Sequence, residues 1–394
     1  MSYYKNLIVI LLVLALVFRI ITDNKKWFCI TAGTVLALFQ GFRDYYTCGI
    51  DLIRYFRIYE HLGTQDYLTA LSHNEGENSL YYLINAIFSR HQVPFQAFIF
   101  LVSVFSVSIT IWFIYKHSDY PLLGIALILG MDYYLFQFSG LKQTLSMACA
   151  LIAMDANMEQ KNAKTILWTF FVILFHFAGV VIIPFLLLSR FNITIQRVVV
   201  CLLGVLTFLI FRIPIGNALV LLFRDEYVDN YVVTERIGGT AWFLILCIVF
   251  FLYCYYETFY EQIFSKEIRS ARKKAWVISL NRGKKSKTYY EKRRTIQINE
   301  EMKASFYGLI ILATIQVCAS FSYAFTRLNL YYTPLTAIVF TKILNAEKMQ
   351  KQFKPYFILK YFIIVVVASY MFYQFFRILP GQNLEQYRFF WEAR

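Results

Sequence analysis

Four side chains stand out because each puts a cation or a titratable group beside a long apolar stretch of the chain. They are Arg43, Lys142, His176 and Arg327. Fixed cations bind anionic oxygens, and arginine can do so through two parallel hydrogen bonds. A histidine titrates near neutral pH, so it can act as a general base. Together these residue types suit an anionic substrate and one proton transfer.

Arg43 belongs to the segment GFRDYYTCGID, residues 41–51, in which Gly41 and Gly49 bracket a tight loop. Charges placed there just after an apolar stretch can face a substrate at the membrane surface. An ordinary juxtamembrane loop with interfacial aromatic residues is the alternative. Three further charged residues of this region are candidates as well: Asp44, Asp51 and Arg54. Asp51 is a second candidate for the general base.

Lys142 and Gln143 lie in FQFSGLKQTLSM, residues 136–147, where a Ser-Gly turn joins two apolar segments. Gln143 is a weaker candidate for substrate binding. A helix that begins after this turn offers unpaired backbone N–H groups and its positive dipole end to an anion. The alternative is a lysine that snorkels from a helix end.

His176 interrupts the apolar window 165–188 in the motif FHFAG, and Arg327 lies in SYAFTRLNLYY, residues 322–332. An imidazole inside an apolar segment needs a partner or contact with water, so His176 is either a base or a histidine bonded to a neighbouring helix. Arg327 is either an anion-binding residue or an interfacial anchor. In the loop 215–239, Arg224 is a weaker substrate-binding candidate.

The composition predicts an all-α, polytopic integral membrane protein, because 59% of the residues are hydrophobic and 16% are charged. Uncharged windows of about 20 residues match a hydrocarbon core, and the backbone there must be helical. We expect about ten transmembrane helices plus a hairpin or an extra span at 165–188. The ten lie near 7–22, 27–40, 94–115, 120–138, 141–156, 197–214, 240–260, 304–322, 328–345 and 357–378.

The chain is expected to form a single membrane domain, 1–394, whose orientation follows from its charges. Of the 39 basic residues, 13 lie in the loop 261–303, which predicts a cytoplasmic loop rather than a nucleic-acid site; binding of anionic lipid or of a cytoplasmic partner is the alternative. Counting spans from this loop favours the hairpin. The outer loop 41–93 with an interfacial helix at 64–92, the outer loop 215–239 and the four residues above then share the extracytoplasmic face.

Several classes of chemistry have no motif here. The sequence contains no Walker, GxSxG, HExxH or DxD motif, and its seven cysteines form no CxxC pair, so we expect neither a metal nor a cofactor. A flippase for lipid-linked oligosaccharides or another transporter remains open, as does a membrane O-acyltransferase that acts on an exopolysaccharide.

The motifs together resemble the EpsG family of exopolysaccharide proteins, which is similar to the Wzy polymerases of O-antigen and capsular polysaccharide. The resemblance rests on GFRD, GID and Tyr55 in the first loop, SGLKQTLSMA, LFHFAG and FTRLNLYY. The family pattern has arginine where this chain has Lys142; lysine keeps the charge without the planar fork.

What the resemblance implies is a glycosyltransferase of the bacterial plasma membrane that needs no metal. It would transfer a glycan from polyprenyl (undecaprenyl) pyrophosphate to another lipid-linked repeat unit at the outer leaflet. Arg43, Lys142 and Arg327 would bind the pyrophosphate, and His176 or Asp51 would act as the base. The expected partners are the lipid-linked oligosaccharide, membrane lipid and, by analogy, a chain-length regulator.

Overall fold

The computed structural model describes residues 2–215, 218, 240–249, 251–252, 287–318, 323–346, 356–379 and 384–392. Contacts divide the chain into two compact units. The first consists of Met1–Ile183, Leu330–Thr341 and Leu359–Arg394, and the second of Pro184–Asn329 and Lys342–Ile358. The described residues are predominantly helical, and their one isolated β-bridge joins Arg43 to Phe389.

The first unit is built from helices that follow one another along the chain. They are α1 (Ser2–Ala15, continued by a π-helical turn at Leu16–Ile21), α2 (Lys25–Gly41), α3 (Leu52–Gly63), α4 (Tyr67–Ser72), α5 (Ser79–Arg90), α6 (Phe95–His117), α7 (Pro121–Gly130), α8 (Tyr133–Phe136), α9 (Leu141–Met158) and α10 (Asn162–Phe175), with 3-10 turns at His73–Gly76 and Phe177–Ile182. Most of the helix Leu335–Leu344 and most of Tyr356–Ile378 complete it.

The core of this unit lies around α9, which packs against α6 and α10. All residues of α9 except Lys142 and Ile152 are buried. A helix that is buried nearly all round lies in the interior of the fold. Helix α9 therefore forms a fixed frame, and Lys142 marks its partly exposed end.

Four helices in the described part of the chain are long and apolar enough to cross a membrane: Tyr3–Ile21, Phe95–His117, Glu300–Cys318 and Lys360–Ile378. Several shorter apolar helices accompany them. These findings confirm the all-helical, membrane-type fold that the composition predicts. The count of about ten spans stays a prediction.

Three of the expected segments are divided because the backbone turns within them. The window 120–138 breaks at Asp132, which has a φ of 61°. The window 328–345 breaks ahead of the helix Leu335–Leu344, which follows Pro334, a residue without an N–H. The region 64–92 holds two helices instead of one, separated by a turn in which Gly76 has a φ of 80° and Asn78 a φ of 60°. Hydropathy does not report such turns.

The window 165–188 breaks at His176, whose backbone is extended between α10 and the following 3-10 turn. A Cβ added at Gly179 would lie 2.4 Å from Val172 Cγ1. These two residues would be about 10 Å apart in a continuous helix, so the chain turns back at His176, as a hairpin requires. Residues from Pro184 onward belong to the second unit, and the choice between hairpin and single span stays a prediction.

The second unit contains α11 (Ile183–Leu188, except its first residue), α12 (Ile195–Ile210) and the helices Thr240–Val249, Lys287–Cys318 and Tyr323–Asn329. Helix α12 packs against Lys287–Cys318. Of the basic loop 261–303, the structure describes residues 287–303. The outer loop 215–239, with Arg224, lies outside the described residues apart from positions 215 and 218.

Candidate active site in the first unit

The first loop and the Ser-Gly turn before α9 lie directly against each other. The backbone N–H of Ile50 donates a hydrogen bond to Ser139 Oγ at 3.1 Å. Gly49 has a φ of 97°, and a Cβ added to it would lie 2.4 Å from the Phe138 carbonyl oxygen. Only glycine fits this approach without strain. The structure thus brings together two motifs that lie about 90 residues apart in sequence.

Arg43 lies beneath this junction, and its side chain is completely buried. Its Nη1 donates to Ser103 Oγ at 3.2 Å and to the Gln40 carbonyl oxygen, and its guanidinium carbon lies 5.2 Å from the centroid of the Phe138 ring. Among the described residues, Nε and Nη2 have no hydrogen-bond partner. Burial lowers the pKa of Arg43 to about 10, so the group is charged at neutral pH.

The C-terminal segment 384–392 covers the buried arginine. The backbone N–H of Asp44 donates to the Arg388 carbonyl oxygen at 2.9 Å. The ring of Tyr387 stacks on Phe39 with 4.3 Å between centroids, and its hydroxyl donates to the Phe39 carbonyl oxygen at 2.7 Å. An anion therefore reaches this arginine only if the covering segment moves.

Lys142 and His176 come together through the pairing of α9 with α10. Ser146 Oγ donates to the Val172 carbonyl oxygen at 2.7 Å. Lys142 precedes Ser146 by four residues, and His176 follows Val172 by four. The two helices run antiparallel, and the backbone N–H of His176 donates to the Val172 carbonyl oxygen at 3.0 Å, so both residues lie about one turn beyond the same contact. The structure thus brings the cation and the imidazole to the same end of the helix pair.

The imidazole of His176 contacts Asn78, a residue that the sequence analysis did not select. Nδ1 of His176 lies 3.1 Å from Asn78 Oδ1, and the backbone N–H of Phe177 donates to the same oxygen at 3.1 Å. Asn78 is buried. The sequence HNEGENS, residues 73–79, signals a turn by its composition, but nothing in it points to the histidine.

His73 of the first loop is close enough to Lys142 for the lysine charge to affect it. Burial lowers the pKa of His73, and the positive charges of His61 and Lys142 lower it further. The ring of His73 lies 4.5 Å from that of Tyr82, between centroids. Burial raises the pKa of Tyr82, while Arg54 lowers it and Glu77 raises it. His73 is therefore the first-loop residue whose titration is coupled to the lysine, and Tyr82 lies beside it.

The residues that form this site are spread along the chain from α2 to the covering segment 384–392. The profile of the EpsG family matches residues 26–389, from the beginning of α2 to the residue that bridges to Arg43. The chain belongs to the EpsG family. Membership makes it a membrane protein related to exopolysaccharides. No curated protein and no solved structure gives a significant match.

Other residues predicted for the site have different surroundings in this EpsG family chain. Asp44 accepts hydrogen bonds from the Tyr46 N–H at 3.3 Å and the Thr47 hydroxyl at 2.9 Å, which stabilise the loop itself. Asp51 is half-buried before α3 and makes no side-chain cap. Arg54 is exposed, and Gln143 is buried.

Arg327 is exposed and belongs to the second unit, whereas Arg43, Lys142 and His176 belong to the first. The gathering of all four residues around one substrate stays a prediction. Within the first unit, Arg43 lies below the Phe138 turn and Lys142 follows that turn, so two of the three expected cations are neighbours in the same part of the fold.

The opposite end of α6 and α9 carries a cluster of charges. Asp155, which is buried, lies 2.5 Å from Lys116 Nζ and 2.9 Å from His117 Nε2. Glu159 lies 2.9 Å from Lys116 Nζ and 2.6 Å from Lys161 Nζ. The EpsG family chain thus places these lysines, which the charge count predicts to be cytoplasmic, at the end away from the candidate site.

Proposed function

We propose that this EpsG family protein is a polysaccharide polymerase, a glycosyltransferase of the bacterial plasma membrane. It transfers a glycan from polyprenyl pyrophosphate, the undecaprenyl lipid in bacteria, to the nonreducing end of another lipid-linked repeat unit. One observation carries the proposal: Lys142 and His176 lie at the same end of the α9–α10 pair, one turn beyond the contact of Ser146 with Val172. A cation and a base are the two groups that this reaction needs.

In the proposed reaction, a hydroxyl oxygen of the acceptor sugar attacks the anomeric carbon of the donor glycan. The bond from this carbon to the pyrophosphate oxygen breaks, and its electron pair leaves with polyprenyl pyrophosphate. The hydroxyl proton passes to Nε2 of His176, which later releases it to water. A positioned base of this kind contributes about 10²- to 10⁴-fold to the rate.

Lys142 stabilises the negative charge that develops on the leaving pyrophosphate. A fixed cation in a site with little water is more effective than one in bulk solvent, since it needs no reorganisation during the reaction. Arg327 is proposed as a further cation for the same group. Arg43 can contact the pyrophosphate only after segment 384–392 has moved, and Asp51 is the alternative base.

The proposed site faces the outer leaflet. Support comes from the two ends of α9: Lys142 is at one end, and Lys116 and Lys161 pair with acidic residues at the other. Lysine-rich ends of membrane helices tend to be cytoplasmic. The donor and acceptor in this arrangement are repeat units that have already been exported.

A deletion strain tests the class of activity. A polymerase deletion accumulates single lipid-linked repeat units on the outer side of the membrane. If instead the units stay on the cytoplasmic side, the protein is a flippase, and full-length polymer without acyl groups identifies an acyltransferase. Either of these two results overturns the proposal.

Complementation with variants tests the site. We expect His176→Gln and Lys142→Gln to restore no polymer, whereas Lys142→Arg restores it because the charge remains. His91→Gln and Lys5→Gln are matched controls, since both residues are exposed and lie outside the site. Normal polymer from His176→Gln at wild-type protein level excludes the histidine from the mechanism.

A further inference from the structure

Asn78 immediately precedes α5, a position where an asparagine side chain usually accepts a hydrogen bond from its own helix. Here it makes no such cap. The side chain reaches instead to residues 98 and 99 positions away in sequence, and it is only 4% exposed. The backbone at Asn78 is left-handed, with φ 60° and ψ 30°, a conformation that asparagine tolerates better than most residues. Both features indicate that the Asn78 side chain contributes to the contact with His176 and Phe177 rather than to the start of α5.

The two contacts of Asn78 identify which atoms carry protons. The Phe177 backbone N–H can only donate, so the amide atom that faces it is the oxygen rather than the NH₂ group. Nδ1 of His176 lies against the same oxygen, and it must therefore hold a proton to form a hydrogen bond. In the neutral imidazole, the lone pair then resides on Nε2.

We propose that Asn78 is a positioning residue that holds His176 in the Nδ1-protonated tautomer and so directs Nε2 to the acceptor hydroxyl; this role rests on the proposed function. A carboxylate at this place would stabilise the imidazolium, whereas a neutral amide orients the ring without holding a positive charge on it. A general base that operates near neutral pH must be unprotonated before the reaction.

The charged and titratable groups on the elements around the imidazole are of both signs. Lys142 on α9 lies one turn beyond the Ser146 contact and disfavours a second positive charge. Glu77 directly precedes Asn78 and favours one. His73 lies in the neighbouring 3-10 turn, and Tyr82 lies on α5. Substitutions of Asn78 leave these neighbouring charges unchanged, so their effects on His176 report the loss of the Asn78 contact.

The tautomer can be measured without any assay of activity. The full-length protein, labelled with ¹⁵N-histidine, is placed in nanodiscs of phosphatidylglycerol and phosphatidylcholine, and the His176 signals are assigned by their loss in His176→Gln. We expect the neutral wild-type ring to carry its proton on Nδ1.

Asn78→Gly fits the left-handed backbone and removes the side chain, so the two tautomers mix. Asn78→Asp keeps the acceptor and raises the His176 pKa. A wild-type proton on Nε2, or no change in Asn78→Gly, overturns the inference.

Polymer formation as a function of pH gives the second readout. We expect Asn78→Asp to move the acidic limb of the profile to higher pH, because the base must lose a proton that the new carboxylate stabilises. Asn78→Gly lowers kcat about tenfold or more with little change in KM. If the tautomers change as expected while His176→Gln remains fully active, the proposed function fails and the pairing of Asn78 with His176 stands. Unchanged pH profiles in variants whose tautomer has changed overturn the positioning role.

Discussion

The guanidinium group of Arg43 lies over the ring of Phe138, with 5.2 Å between its central carbon and the ring centroid. Phe138 belongs to the turn that leads into α9, so this contact joins the first loop to the helix that carries Lys142. A desolvated contact between a cation and an aromatic face contributes about 2 kcal/mol. The same guanidinium has two nitrogen atoms without a hydrogen-bond partner among the described residues, which opposes that gain.

Replacement of Arg43 by methionine separates its two possible roles. The change removes the ring contact and two hydrogen bonds, but it also removes a buried charge, so we expect the free energy of unfolding to change by no more than about 1 kcal/mol. Polymer is lost if the cation serves the substrate. Thermal unfolding in detergent and complementation of the deletion strain measure the two effects. A large drop in melting temperature with intact polymer assigns Arg43 to structure alone.

Gly49→Ala tests the docking of the first loop on the turn before α9. The substitution strains a residue with a φ of 97° and drives its Cβ to 2.4 Å from the Phe138 carbonyl oxygen. Gly76→Ala is the matched control, since Gly76 also has a positive φ but nothing lies within 4 Å of its added Cβ. Each change costs about 1–2 kcal/mol from strain. Only Gly49→Ala should also expose the loop to proteolysis and abolish polymer. Equal effects of both changes contradict the docking.

Lys142→Gln should raise the pKa of His73. Burial and the charges of His61 and Lys142 all lower this pKa, so removal of one positive neighbour weakens the effect. Because the folded-state pKa lies below the unfolded value, the unfolded chain binds the proton more strongly, and stability decreases as the pH falls through about 6.5. NMR titration of the His73 ring provides the measurement. A pKa that is unaffected by Lys142→Gln shows that the two side chains are not neighbours.

Asp155→Ala should destabilise the protein without changing the chemistry. Asp155 is buried against Lys116 and His117; Lys116 keeps Glu159 as a partner, so the main cost is the lost hydrogen bond to the buried His117 ring, about 1–3 kcal/mol. Glu159→Ala is the control: its side chain is 29% exposed, and such pairs contribute about 1 kcal/mol or less. We expect less Asp155→Ala protein in the membrane but the same polymer yield per molecule. A lower yield per molecule would connect this end of α9 to the reaction.

Much of the helical framework can be predicted because hydropathy is a local property. The windows 94–115 and 141–156 correspond to α6 and α9 within a few residues. The polar residue His176 and the span count indicate an interruption of the window 165–188, but the break at Asp132 could not be predicted, since an apolar window carries no information about one residue's φ and ψ. The same limit applies to the turn at Asn78 that divides the region 64–92.

Part of the candidate site was predictable for a similar reason. Span counting and short motifs already place Lys142 and His176 on one face of the membrane, and α9 and α10 bring them to one end of a helix pair. The role of Asn78 could not be predicted from the sequence, because its contact with His176 joins residues 98 positions apart. The covering of Arg43 by segment 384–392 could not be predicted either, because it depends on contacts such as that of Tyr387 with Phe39, which are 348 residues apart.

By itself, the sequence determined that this protein is a helical membrane protein of the EpsG type, with a few cations and one imidazole beside its apolar segments. The helical membrane fold follows from residue type, which sets the free energy of transfer into lipid. The family resemblance follows from residue order, which creates the short motifs. Tertiary structure decided that Asn78 lies against Nδ1 of His176 and that Arg43 is shielded from solvent. Those outcomes depend on which distant segments pack together, and packing is a property of the whole chain.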